Sequence, residues 1–116
     1  MDDFDIPIFK KTYDLYKTFH GYRTTVPKGD RYTIWQRSED ALLDLFKGIL
    51  LASRSRKPEK AIILERASTD LNLLRVFLRL MKEVRTIDNK KYATLEAFVD
   101  EIGRMLGGWL KSVESR

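Results

Sequence analysis

The sequence predicts an all-α protein folded as an antiparallel up-down-up-down four-helix bundle. Three observations carry this. Apolar residues recur at helical spacing along most of the 116 residues. Three short interruptions cut that pattern into four long segments, with only three prolines and six glycines in the chain to force breaks. No run of four residues alternates convincingly with β-branched side chains, so strands are not expected. Long helices joined by short connections leave antiparallel neighbours.

The first helix is expected over about residues 7–24. Pro7 suits a first turn, where its missing N–H costs nothing, and the β-branched run Thr24-Thr25-Val26 before Pro27 disfavours continuation. The second is expected over about 30–54, with Asp30 as a good N-cap after Gly29. Its apolar stripe is Trp35, Leu42, Leu45, Phe46, Ile49 and Ala52. The third restarts at Pro58-Glu59 and is expected to reach about Arg85. Asp88-Asn89-Lys90-Lys91 reads as a turn, and Thr94 as the cap of a fourth helix over about 94–113, with Leu95, Phe98, Ile102, Met105, Leu106, Trp109 and Val113 on one face. Residues 1–6 form an acidic leader and residues 7–114 the bundle domain.

Helix three is the informative one. It holds a heptad-like stripe, Leu64, Ala67, Leu71, Leu74, Leu78 and Met81, and beside it a second stripe, Leu73, Phe77, Leu80 and Val84. At about 100° per residue the two together cover roughly 200° of the helix. A surface helix needs an apolar stripe only somewhat wider than about 100°. The surplus points to burial on two sides, one inside the bundle and one against a second copy or a partner.

Composition excludes much chemistry. There are no cysteines, hence no disulfide, thiolate ligand or Cys nucleophile, and His20 is the only histidine. No Arg precedes His20 at the spacing of helical RNA-cleaving domains, and there is no phosphate-binding or dinucleotide-binding glycine loop. The acidic pairs Glu39-Asp40 and Asp100-Glu101 diverge by about 100° on a helix and converge on no point. No catalytic residue, metal site or cofactor is expected. The acidic start is no signal peptide and no apolar run approaches the roughly 20 residues of a membrane span, so a cytoplasmic protein is expected.

The net charge is +5, with a pI near 9.5. From residue 8 onward 22 basic residues face 14 acidic ones. Such an excess favours polyanionic partners, RNA and DNA foremost. Arg75, Arg79 and Lys82 recur at spacings of four and three, so they line one face of helix three beside its apolar stripe. Lys28 and Arg31 flank the start of helix two, and Arg54, Arg56, Lys57 and Lys60 cluster at the turn into helix three. Lys90 and Lys91 fall in the last turn and Arg104 in helix four. Arginine forks hold phosphates bidentately, which favours Arg75 and Arg79 over scattered lysines.

The segment Gly103-Arg104-Met105-Leu106-Gly107-Gly108-Trp109 places three glycines, each costing about 1 kcal/mol in a helix, just before a large apolar anchor. Gly103 and Gly107, one turn apart, permit close approach of another helix or subunit. This segment resembles the C-terminal helix of the accessory variability determinant (Avd) proteins of diversity-generating retroelements. Leu74-Arg75-Val76-Phe77-Leu78-Arg79-Leu80 is similar to that family's central Leu-Arg-x-x-Leu-Arg helix. Val26-Pro27-Lys28, followed by Arg31, is similar to its Pro-Lys/Arg start of the second helix. The resemblance spans roughly residues 8–113.

The resemblance implies a four-helix protomer that assembles as a homopentameric barrel. It also implies a non-catalytic accessory protein that binds reverse transcriptase and template RNA in support of mutagenic cDNA synthesis. Carried over by position, Arg75, Arg79, Lys28, Arg31 and Arg104 are the expected contacts to nucleic acid or polymerase, and Lys82 joins them from its place on the same face of helix three. Phe77, Leu80, Gly103, Gly107 and Trp109 are the expected subunit interface. The alternative is the related family of four-helix proteins encoded within intervening sequences of bacterial 23S ribosomal RNA genes, a basic RNA-binding or assembly scaffold outside a retroelement. The acidic leader is not part of the resemblance and has no assigned role.

Overall fold

The structure is a computed structural model and describes residues 3–114. Among these residues there are four α-helices and no strand: α1 (Pro7–Gly21), α2 (Ile34–Ser53), α3 (Lys57–Glu83) and α4 (Asn89–Glu114). The connections α2–α3 and α3–α4 are too short to let a 20- to 27-residue helix do anything but fold back on its neighbour. Contacts between helices run in opposite senses accordingly. Phe19 stacks on Trp35 at 3.8 Å while Phe9 meets Phe46. Lys82 lies over Tyr92 while Lys60 lies over Trp109. Lys91 reaches Tyr22 and Lys11 reaches Glu101, closing α4 onto α1. The result is a cylinder of 46 × 24 × 22 Å.

The inward stripe of α3 is buried along its whole length, from Leu64 to Met81. It meets Leu42, Leu45, Ile49 and Ala52 of α2 and Leu95, Val99, Ile102 and Leu106 of α4 in one core. Three polar side chains are buried among the described residues, Thr12, Ser38 and, at the bundle end, Thr86. Thr12 and Ser38 donate their hydroxyls to the carbonyls four residues back, Ile8 and Ile34, and Thr86 donates to Asp30, so none is left unsatisfied.

Helix limits depart from expectation in ways that have local causes. α1 ends at Gly21, and Arg23–Thr25 form a tight 3-10 turn in which Thr25 donates its hydroxyl to the Tyr22 carbonyl. The β-branched run therefore ends the α-helix earlier than Thr24. α2 begins at Ile34 and not at Asp30, because Asp30 serves a different purpose: its carboxylate accepts the hydroxyl of the buried Thr86 across the bundle end. The largest correction concerns α4. It begins at Asn89, and its cap is Asp88, whose Oδ1 accepts the Lys91 backbone N–H at 2.8 Å. Thr94 lies inside the helix and donates to the Lys90 carbonyl.

The acidic leader has a docked position. Asp3–Asp5 make a 3-10 turn, Asp3 pairs with Arg54 at 2.7 Å, and Phe4 packs edge-on against Phe9 and Tyr13. Met1 and Asp2, the rest of the acidic start, lie outside the described residues.

Candidate nucleic-acid and partner surface

The basic row of α3 is not uniformly available. The Arg75 guanidinium crosses to α4 and pairs with Asp100 through a short hydrogen bond. It passes over Gly103, where a Cβ would stand 2.6 Å from Arg75 Nη2 and 3.4 Å from Leu71 Cδ2. Gly103 thus makes room for a cation of its own chain. Arg79 is highly exposed and pairs one turn along with Glu83 at 3.1 Å. Lys82 lies with its ammonium 4.5 Å from the Tyr92 ring centre, an arrangement that holds the charge without neutralising it.

The other expected cations fall in two places. Arg104 is exposed and lines, with Arg75, Asp100, Gly103 and Gly107, a groove of about 410 Å³ between α3 and α4. Lys28 is exposed in the α1–α2 connection. Arg31, nearby, spends its guanidinium on the backbone of that connection, donating from Nε to the Val26 carbonyl at 3.1 Å. Arg54 and Lys60 sit at the opposite end of the cylinder, held by Asp3 and against Trp109.

Folding brings the α1–α2 connection beside the α3–α4 turn, and this end holds most of the charge asymmetry. Residues 20–37 and 82–91 contain eight basic residues, Arg23, Lys28, Arg31, Arg37, Lys82, Arg85, Lys90 and Lys91, against three acidic ones, Asp30, Glu83 and Asp88. That excess equals the net charge of the whole chain, and the remaining residues balance at fourteen of each sign. A cleft of about 640 Å³ opens here, lined among others by Thr25, Lys82, Arg85, Asn89 and Lys91. The Asp88 carboxyl at its rim is held below the ordinary aspartate value, chiefly by the Lys91 backbone N–H it accepts and then by the Lys91 ammonium. Arg85 and Asp88 were not singled out from the sequence. The sequence marks a turn at Asp88–Lys91 but gives neither residue a role at a site, and no glycine marks the end of α3 at Arg85.

Along the side of the cylinder the second stripe of α3 stays in the open. Leu80 is 41% exposed and Val84 60%, with Leu73 and Val76 also exposed. Phe77 is half-buried against the core. Leu80 and Val84 also border a groove of about 600 Å³ with Tyr32, Ile34 and Arg37 of the facing α2 start. Of the remaining residues expected at an interface, Trp109 is half-buried on the core under Lys60, and Gly107 faces open space. The tyrosines are mostly engaged at home. Tyr16 donates to Glu39, which with burial raises its hydroxyl above the ordinary tyrosine value, and Tyr32 lies exposed under Arg23.

Among the described residues no group of three or more His, Cys, Asp or Glu is placed to hold a metal. None of the described helices is long and apolar enough to cross a membrane. His20 is exposed and stacks on Tyr16.

Fold and charge together define a small basic four-helix-bundle protein with an uncovered apolar side. The chain belongs to the bAvd-like family, whose model matches residues 7–113. This is the retroelement family to which the helix-three and helix-four motifs are similar, a family of accessory, non-catalytic proteins. The match begins where the leader ends. A comparison with curated proteins finds no match.

Proposed function

We propose that this protein is the accessory subunit of a diversity-generating retroelement, binding its reverse transcriptase and template RNA during mutagenic cDNA synthesis. Family membership supports the accessory role. The observation that carries the nucleic-acid half is the gathering of the chain's whole net charge at one end of the cylinder. Phosphates are neutralised there by Lys28, Lys82 and their neighbours, while Arg79, Arg104 and Arg75 extend the basic surface along α3 and α4 toward polymerase or RNA.

The exposed strip Leu73, Val76, Leu80 and Val84 supports assembly. Lateral packing of five copies through this strip, with Phe77 beneath it, would cover apolar surface that one protomer leaves in water. Gly107, open to solvent, lets a neighbouring helix approach α4 closely, and Trp109 follows two residues further along the helix.

Light scattering on the purified protein is expected to give about five times 13.6 kDa, and Leu80→Glu is expected to dissociate it. RNA binding is expected to weaken steeply with salt, since each neutralised phosphate releases counterions. A strict monomer would remove the assembly half. Absence of RNA retention at low salt would leave a protein-binding scaffold.

A further inference from the structure

α3 ends in a backbone conformation that its sequence does not favour. The Thr86 N–H bonds the Met81 carbonyl at 2.7 Å and the Arg85 N–H bonds the Lys82 carbonyl at 3.2 Å. These two bonds are the paired closure of a Schellman motif, and they force the residue between them into the left-handed region. That residue is Arg85, with φ 67°, and no other described non-glycine residue has a positive φ. Glycine occupies such positions readily because it has no Cβ to clash with the backbone. An arginine is held there against its own preference, and its side chain is exposed at the cleft. Among the described residues no hydrogen bond, ion pair or ring contact holds that side chain.

The surroundings of Arg85 supply positive charge without answering it. The two carboxylates of the cleft are already engaged: Glu83 with Arg79 and Asp88 with Lys91. Lys82 is steadied by the Tyr92 ring and keeps its charge. Lys91 bonds Asp88 from one side and lies over Tyr22 on the other. The space of about 640 Å³ falls within the range of about 300–1,000 Å³ in which proteins seat small-molecule-sized groups. Of its two aliphatic side chains Ile87 is buried and only Pro27 is exposed, so the cleft offers one small apolar surface and no exposed aromatic or large aliphatic anchor of the kind a protein partner would use.

We propose that this cleft is a phosphodiester-binding subsite for a single-stranded RNA backbone. Arg85 is the principal contact and Lys82 and Lys91 are flanking charges. The proposal rests on the reading that the protein binds RNA, and it moves the first contact from the middle of α3 to its C-terminal turn. A guanidinium presents a planar fork that matches two phosphate oxygens. The left-handed backbone is then the conformational cost of placing that fork at the mouth of the cleft.

Arg85→Gly separates a binding role from a structural one, because the two predict opposite signs. The variant removes the guanidinium and relieves the backbone. Fluorescence anisotropy with a mixed-sequence single-stranded RNA oligonucleotide is expected to show affinity weakened about 3- to 10-fold. The slope of log affinity against log salt is expected to shrink by about one. The thermal midpoint is expected to rise by a few degrees. Arg85→Lys should retain most of the affinity.

If the unaltered protein binds RNA and Arg85→Gly binds it equally well, the subsite is wrong while the wider reading stands. If the unaltered protein binds no RNA, the wider reading fails and takes the subsite with it. A lower thermal midpoint in Arg85→Gly would assign Arg85 to the fold and overturn the proposal. Equal losses of RNA and poly-L-glutamate binding would assign the cleft to an acidic protein and overturn it too.

Discussion

The guanidinium of Arg75 occupies the space that a side chain at residue 103 would take, reaching over Gly103 to Asp100 on the next helix. A glycine that the sequence offers as a subunit contact is thus matched to an arginine of the same chain. In Gly103→Ala the new methyl displaces the free end of a flexible side chain, not backbone. Alanine gains about 1 kcal/mol of helix propensity, and a half-exposed ion pair is worth about 0.2–1 kcal/mol. The thermal midpoint is therefore expected to stay within a few degrees of the parent. Asp100→Asn should cost less in that background than alone, which a four-variant thermal cycle measures.

A second glycine has the opposite character. A Cβ at Gly48 would lie 3.3 Å from the Ala67 Cβ, which is anchored on the backbone of α3 and has no freedom to swing aside. Gly48→Leu is expected to force α2 from α3 and to destabilise by about 1–3 kcal/mol, read by denaturant unfolding. A midpoint equal to the parent would show that this helix pair is loosely packed.

The cap of α4 gives a pH dependence of known sign. Asp88 titrates below the ordinary aspartate value because it accepts the Lys91 N–H, so its contribution is present above the unfolded value near 4. It is lost as pH falls through the lowered folded value. Asp88→Ala should show the same fraying of the first α4 turn at neutral pH. Amide protection factors at residues 89–92, corrected for the intrinsic pH dependence of exchange, are expected to fall in both cases, and unchanged protection would contradict the capping assignment.

Asp70 behaves in the reverse sense. Burial, and then the nearby carboxylate of Asp44, raise its value above the ordinary one, with Arg66 only partly opposing. A raised carboxyl weakens the fold once ionised, so Asp70→Asn is expected to raise the thermal midpoint at pH 7. The gain should vanish below about pH 3.5, where both folded and unfolded carboxyls are protonated. A gain that persists there would have another origin.

The core was legible because it is written in local periodicity. Each residue assigned to the inward stripe of α3 is buried, and beside it Leu73, Leu80 and Val84 of the second stripe stand exposed while Phe77 is half-buried. Helix limits were less legible wherever a side chain chose a distant partner. Asp30 looks like a cap until Thr86 arrives from 56 residues away, and Thr94 looks like one because Asp88 is hidden in a charged run. The candidate surface was legible as a list of cations and illegible as a field. Arg75 and Arg79 share a face as their spacing requires, but Asp100 comes from another helix and Glu83 from the next turn.

By itself the sequence determined that four amphipathic helices would form, which of their faces would turn inward, and which family the chain resembles. These follow from spacing, and spacing is a property of the chain alone. Tertiary structure decided which charges remain unanswered. The α1–α2 connection and the α3–α4 turn are some sixty residues apart in sequence, and only the antiparallel packing of the helices sets their cations around one cleft. The same packing decided that Gly103 shelters Arg75, and the end of α3 decided that Arg85 would stand in a backbone conformation no neighbouring residue foretold. Electrostatics and steric contact act through space, and the pairs Lys11–Glu101, Arg54–Asp3 and Arg75–Asp100 join charges that lie far apart in sequence.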